Sequence, residues 1–197
     1  MHGIIAILIS TSLVFSFQYL SDWEKEKEED GVIAYTRTKS GESYLEYRTD
    51  FLVNANLARV KEVITDVASY SAWMPSTLES RVVRKVNDSV FFAYTVTDTP
   101  WPASNRDLAF KGTVMKTSAN RYVITYEEAP SVVPENSNYV RIAAYHAVWE
   151  LEQVTPSQVQ VSFIFSFDPG STYPNWMIKS GVISARIEAA KKLRERV

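Results

Sequence analysis

The chain contains no cysteine, which removes disulfides, thiolate nucleophiles and cysteine-ligated metals together without fixing a redox compartment. Histidine is nearly as scarce, with only His2 and His146. A zinc or non-haem iron site would need carboxylates for most of its ligands, which is rare for those ions, so no metal and no other cofactor is expected. An excess of one charge is missing too. The 21 basic and 23 acidic residues are mixed along the sequence and leave a net charge of −2, so there is no electrostatic footprint for a nucleic-acid backbone. No Gly-x-Ser-x-Gly elbow, phosphate-cradling glycine loop or His-Glu-x-x-His helix is present. Glu127 and Glu128 are neighbours on a strand and point apart, so they cannot flank one bond. These absences leave little from which to build an enzyme.

Long apolar runs are likewise absent. The longest, Ile4 to Phe17, is about 14 residues, short for a membrane span and the right length for the core of a signal peptide. Val14-Phe15-Ser16 ends it on a small residue where a signal peptidase can cut. The expectation is therefore a signal peptide over residues 1–17 and an exported, periplasmic or secreted domain over 18–197; the alternative is an uncleaved membrane anchor.

What remains is a chain of 197 residues rich in aromatics, with 11 Tyr, 9 Phe and 5 Trp but only 6 Gly. That is the composition of one packed domain. No second continuous interface is evident, so a monomer is expected. Ser21-Asp22-Trp23-Glu24 reads as the cap of a short solvated helix that stops at Gly31. Val32 to Thr38 and Tyr44 to Val53 alternate around Ser40-Gly41 as a hairpin. Asn56 caps a helix through Val67, with Leu57, Val60, Val63 or Ile64, and Val67 at helical spacing. The aromatic turn Tyr70 to Pro75 follows. Only strands are then expected up to Asp168: Ser80 to Val86, Val90 to Thr97, Asp107 to Lys116, Arg121 to Glu128, Tyr139 to Gln153 and Gln158 to Phe167. Their short turns make an antiparallel meander.

In the last of these strands Val159, Val161, Phe163, Phe165 and Phe167 share one face, which something must cover. The only long element left is a helix over Pro174 to Val197. It carries two apolar stripes on nearly opposite sides. Trp176, Ile183 and Ile187, with Ser180 and Ala190, form one; Ile178, Val182, Ala185, Ala189 and Leu193 form the other. The second runs the full length and is expected to face the sheet.

Trp23 with Asp30-Gly31-Val32-Ile33, the turn Tyr70 to Met74, Pro100-Trp101-Pro102 before Asn105-Arg106-Asp107, Trp149-Glu150-Leu151, and Asp168-Pro169-Gly170 before Pro174-Asn175-Trp176 occur in the order seen in the START (steroidogenic acute regulatory-related lipid-transfer) domain family. From about Ser21 to Val197 the chain resembles that family. The resemblance implies an α+β helix-grip fold, in which a curved antiparallel β-sheet wraps around a long C-terminal α-helix and a lipid lies in the tunnel between them. It implies a lipid or other hydrophobic small molecule as ligand, transient membrane contact during transfer, and no catalysis; a cyclase, aromatase or hydrolase-like enzyme using the same cavity is the alternative.

Given that fold, parity assigns the tunnel lining to Leu108 and Phe110 with Gly112, to Ile124 and Tyr126, to Ala147 and Trp149, and to Phe163 and Phe165. From the helix it assigns Ile178, Val182, Ala185 and Ala189. Tyr94, Tyr126 and Arg106 are the candidate polar tunnel groups. Sterol carriers of the family place an acidic and basic pair in the tunnel, where this sequence has Ala93 and Gly112. Each assignment has a plainer reading. The Phe163, Phe165 and Phe167 stripe suits ordinary core, Arg106-Asp107 suits a pair that pins a loop, and His146, opposite in parity to Trp149, suits the exterior. Trp101 and Pro102 would border the tunnel mouth.

Overall fold

The structure, a computed structural model, describes residues 22–38, 41–42, 44–101, 103–168 and 175–197. The signal-peptide assignment, part of the Ser40-Gly41 turn, Pro102 and the segment 169–174 lie outside the described residues. Ten strands form one sheet: β1 (Glu24–Glu29), β2 (Val32–Thr38), β3 (Leu45–Val53), β4 (Thr77–Lys85), β5 (Val90–Thr97), β6 (Arg106–Ser118), β7 (Arg121–Glu128), β8 (Val140–Arg141), β9 (Ala143–Thr155) and β10 (Gln158–Asp168). The α-helices among the described residues are α1 (Leu57–Thr65) and α2 (Asn175–Arg196).

Two antiparallel meanders make the sheet. One is β1-β2-β3 and the other runs from β4 to β10, and the two join where β10 pairs with β3, giving the order β1-β2-β3-β10-β9-β7-β6-β5-β4. That junction brings Val161 opposite Phe51 and Phe165 opposite Tyr47. It joins residues more than a hundred positions apart, and no local turn signal announces it. Both helices lie on one face of the sheet, which carries the main hydrophobic core.

The expected N-terminal helix is instead the edge strand β1. Asp30 and Gly31 both take positive φ, 51° and 68°, and Glu29 pairs with Val32. This is the two-residue Asp-Gly hairpin turn whose twist suits antiparallel strands. A charged edge strand also resists pairing with other chains. Its acidic side chains dock α2, because Lys179 reaches Glu26 at 2.7 Å and Lys191 reaches both Glu29 and Asp30.

The strand expected over Tyr139 to Gln153 is broken. Val140–Arg141 pairs parallel to the start of β6, Ala144 takes a φ of 52°, and β9 then runs antiparallel to β7 and β10. α1 begins as expected, with the Asn56 side chain accepting from the Arg59 N–H at 2.9 Å. At its far end the C-terminal carbonyls have no helical partner. The Tyr70 and Tyr126 hydroxyls satisfy that of Ile64, at 2.5 and 2.8 Å.

α2 lies over β1, β2 and β3. At its C-terminal end Arg194 donates to the carbonyls of Leu52 and Asp30, and Arg59 of α1 donates to the Arg196 carbonyl at 2.7 Å. The two helices therefore meet at one end of the sheet. The other end is the one where β10 finishes, α2 begins and the loop between β5 and β6 projects.

Candidate functional site

The concave face is assembled by alternation along neighbouring strands. β6 contributes Leu108, Phe110 and Gly112; β7 contributes Ile124 and Tyr126; β9 contributes Ala147, Trp149 and Leu151; β10 contributes Phe163 and Phe165. All are buried. At its centre the rings form a continuous stack. Trp149 lies over Phe163 at 4.0 Å between centroids, Phe163 over Phe165 at 5.0 Å, and Phe165 over Tyr47 at 5.2 Å. The strand residues assigned by parity share this face; Tyr94, a candidate polar group, does not.

Tyr94 is on the opposite face. Adjacent strand residues point to opposite sides, and because Ala93 faces the concave core, Tyr94 joins Val96 and Ala109 in a second, smaller cluster. There its hydroxyl donates to Asp107 Oδ2 at 3.0 Å, and burial together with that carboxylate raises the phenol to about 12. Asp107, expected to face solvent or a loop, is buried at 1% exposure. Arg106 does alternate onto the concave side with Leu108, but at the very start of β6, where its guanidinium donates to the Ser104 carbonyl at 3.1 Å.

The helix buries members of both stripes: Ile183, Ile187 and Ala190 of one and Ala189 and Leu193 of the other, whereas Trp176 and Ser180 of the first are exposed and Ile178, Val182 and Ala185 of the second are partly covered. Two arginines, Arg186 and Arg194, lie among these buried positions and meet aromatic rings of the sheet. Arg194 places its guanidinium 5.7 Å from the centroid of Phe51. Arg186 lies over Phe163 and Phe165, 5.6 and 5.4 Å from their centroids.

Arg186 and Tyr145 were not singled out from the sequence. The available signal was Arg186 at helical spacing with Ile183, Ile187 and Ala190, and Tyr145 in phase with Ala147 and Trp149. Burial lowers the Arg186 guanidinium from its ordinary value, opposed by Tyr145 and Tyr70; burial also raises the Tyr145 phenol to about 12. Tyr70 and Tyr126, their hydroxyls 3.0 Å apart, are raised chiefly by burial and stay protonated.

At the positions where the resemblance implied an acid and a base in sterol carriers, Ala93 is fully buried. Gly112 lies directly under the Phe91 ring. No charge pair exists there. Two surface hollows lie outside the aromatic face, one of about 260 Å³ lined by Trp73, Met74, Leu78, Asp98 and Lys192, the other of about 410 Å³ between Lys179 and Arg37. Among the described residues no three acidic or histidine side chains converge to hold a metal, and no helix is long and apolar enough to cross a membrane.

This architecture recurs in known proteins. The chain is 25% identical over 197 residues to an uncharacterized protein of Pseudomonas aeruginosa, covering 98% of this chain and 97% of that one. It is 26% identical over 172 residues to the phosphatidylcholine transfer protein of Mus musculus, covering 82% and 79%. The crystal structure of the STAR-related lipid transfer protein (fragment 25–204) from Xanthomonas axonopodis superposes with a TM-score of 0.80 at 26% identity, over 89% of this chain and 98% of that one. With residues 20–197 matching the START domain model from β1 through α2, the chain belongs to the START domain family and has its helix-grip fold.

Proposed function

We propose that this protein binds a lipid between the aromatic concave face and α2 and carries it between membranes without altering it chemically. The observation that carries the reading is the continuous aromatic face, Trp149 on Phe163, Phe163 on Phe165 and Phe165 on Tyr47, with the Arg186 guanidinium of α2 laid over two of its rings. Similarity to the mouse phosphatidylcholine transfer protein supports the same class of ligand.

The energetics suffice. Burying roughly 400 Å² of lipid apolar surface at about 25 cal/mol per Å² is worth on the order of 10 kcal/mol before ordering costs. The route in and out is at the end where the helices diverge, between the loop 98–105 and the first turn of α2. Trp101 and Trp176 stand there 92% and 68% exposed, placed to dip into a bilayer interface. The protein works as a monomer after export, and loss of residues 1–17 in an intact-mass measurement from the native host tests that part.

Native mass spectrometry of the purified protein, with vesicle-to-vesicle transfer of a fluorescent lipid, tests the main reading. An unaltered co-purifying lipid and protein-dependent transfer are expected. Absence of both, or recovery of a chemically converted ligand, would replace the carrier with a different function.

A further inference from the structure

Resting on the carrier reading, the geometry points to an anion-binding subsite inside the fold, centred on Arg186, which takes the carboxylate or phosphate of an acidic lipid with its chain lying along Phe163, Phe165 and Trp149. The argument is a count of donors against acceptors. Arg186 makes contact with two aromatic rings and with no carboxylate or carbonyl oxygen among the described residues. The Tyr145 hydroxyl, beside it closely enough for each to shift the other electrostatically, has no hydrogen-bond partner either; only its backbone N–H is engaged, by Glu128. The indole N–H groups of Trp149 and Trp73 are buried and unpaired. Trp149 stacks on the same Phe163 that lies under Arg186, and Trp73 meets Tyr70 edge-on at 5.4 Å.

All four unpaired groups are able to donate, and none is matched by a protein acceptor. A buried donor left unpaired is destabilising, and a desolvated charge without a counter-charge more so. A neutral hydrocarbon ligand would relieve none of this. An anionic head group would give the Arg186 guanidinium the acceptor it lacks, and a guanidinium fork matches carboxylate and phosphate geometry in particular. The neighbouring Tyr70 and Tyr126 hydroxyls do not compete, since both are committed to the Ile64 carbonyl. The apolar stretch beyond Arg186 distinguishes this from a site for a free inorganic anion.

Matched-tail ligands separate the anion from the chain. Dodecanoate would be titrated against methyl dodecanoate, and dodecyl phosphate against dodecanol, by calorimetry on the wild-type protein and on Arg186→Met and Arg186→Lys. The expected result is that one charged ligand binds about tenfold or more tightly than its neutral partner. The preference should fall to near parity in Arg186→Met and be partly kept in Arg186→Lys. The pair that shows it identifies carboxylate or phosphate as the head group. If wild type binds charged and neutral members equally, the anion subsite is overturned and the carrier reading stands. If it binds none of the four, both fall. If Arg186→Met keeps the full preference, the cation lies elsewhere and the assignment to Arg186 is wrong. The wild-type comparison alone decides whether an anion is recognised, so the test does not depend on a variant folding.

Discussion

Arg141 clamps Asp107 with two hydrogen bonds, Nε to Oδ1 and Nη2 to Oδ2, both 2.9 Å. The same guanidinium donates to the carbonyls of Pro130, Val133 and Pro134, so one side chain ties the start of β6 to the loop after β7. The bulge that splits β8 from β9 exists to deliver it, for β8 pairs with the first two residues of β6. Because Asp107 is 1% exposed, Arg141→Met would strand a buried carboxylate and is expected to cost about 3–5 kcal/mol in chemical denaturation. Replacing both, as Asp107→Leu with Arg141→Met, should recover much of that loss.

Gly112 is required by contact. A Cβ there would sit 2.2 Å from Phe91 Cζ, and Phe91 has little room to retreat because it packs edge-on against Tyr126 at 6.1 Å. Gly112→Ala should therefore destabilise by about 1–3 kcal/mol. In a Phe91→Ala background the same change should cost much less, and the double-mutant cycle measures the difference.

How far the sequence led follows from which physics is local. Alternation is local, so β5 and β7 were placed from Val90 to Thr97 and from Arg121 to Glu128, and the concave residues of β6, β7, β9 and β10 were assigned to one face. The same rule, applied consistently, would have excluded Tyr94 once Ala93 was placed inside. The β3–β10 pairing, the sheet-facing side of α2 and the strand character of Glu24–Glu29 depend on distant partners. Glu26 looks solvated until Lys179 arrives from the other end of the chain. Arg186 looks like an exterior residue until the rings of β10 are beneath it. The polar centre of the candidate site was missed for that reason, while its apolar wall was legible.

The orientation of α2 makes Ala190 the sensitive small residue. It is buried beside Ile183 and Ile187, whereas Ala185 is partly exposed. Ala190→Trp is expected to over-pack the interface by about 1–3 kcal/mol and lower the melting temperature by several degrees. Ala185→Trp should leave the melting temperature nearly unchanged. Thermal unfolding of the two variants side by side checks the helix face directly.

Acid should loosen β1 from α2. Burial alone would raise the Glu26 carboxyl, but hydrogen bonds from Lys179 and Thr36 outweigh it and hold it below its ordinary value. Lys191 and then Lys27 draw Glu29 down to about 2. Both carboxyls titrate lower when folded than when unfolded, so their contribution is present above the ordinary carboxylate value of about 4.5 and is lost as the pH falls from there toward about 2. Amide exchange along Glu24–Glu29 should accelerate across that window ahead of exchange in β9 and β10. Uniform acceleration of all strands would show that the β1 pairs are not what gives way.

Trp101, in the loop between β5 and β6, and Trp176, in the first turn of α2, are both exposed. Two exposed indoles, with Met177 48% exposed beside one of them, are costly in water and suited to the interfacial region of a bilayer. An indole that half-inserts contributes on the order of 1 kcal/mol, or about fivefold in membrane residence. Trp101→Ala and Trp176→Ala should therefore each slow vesicle-to-vesicle transfer by about that factor, and together by more. Neither should alter thermal stability or binding of the matched-tail ligands in solution, because neither side chain is packed in the core. Transfer that slows only in proportion to lost ligand binding would instead make these tryptophans part of the pocket, and unchanged transfer would move the membrane-facing end elsewhere.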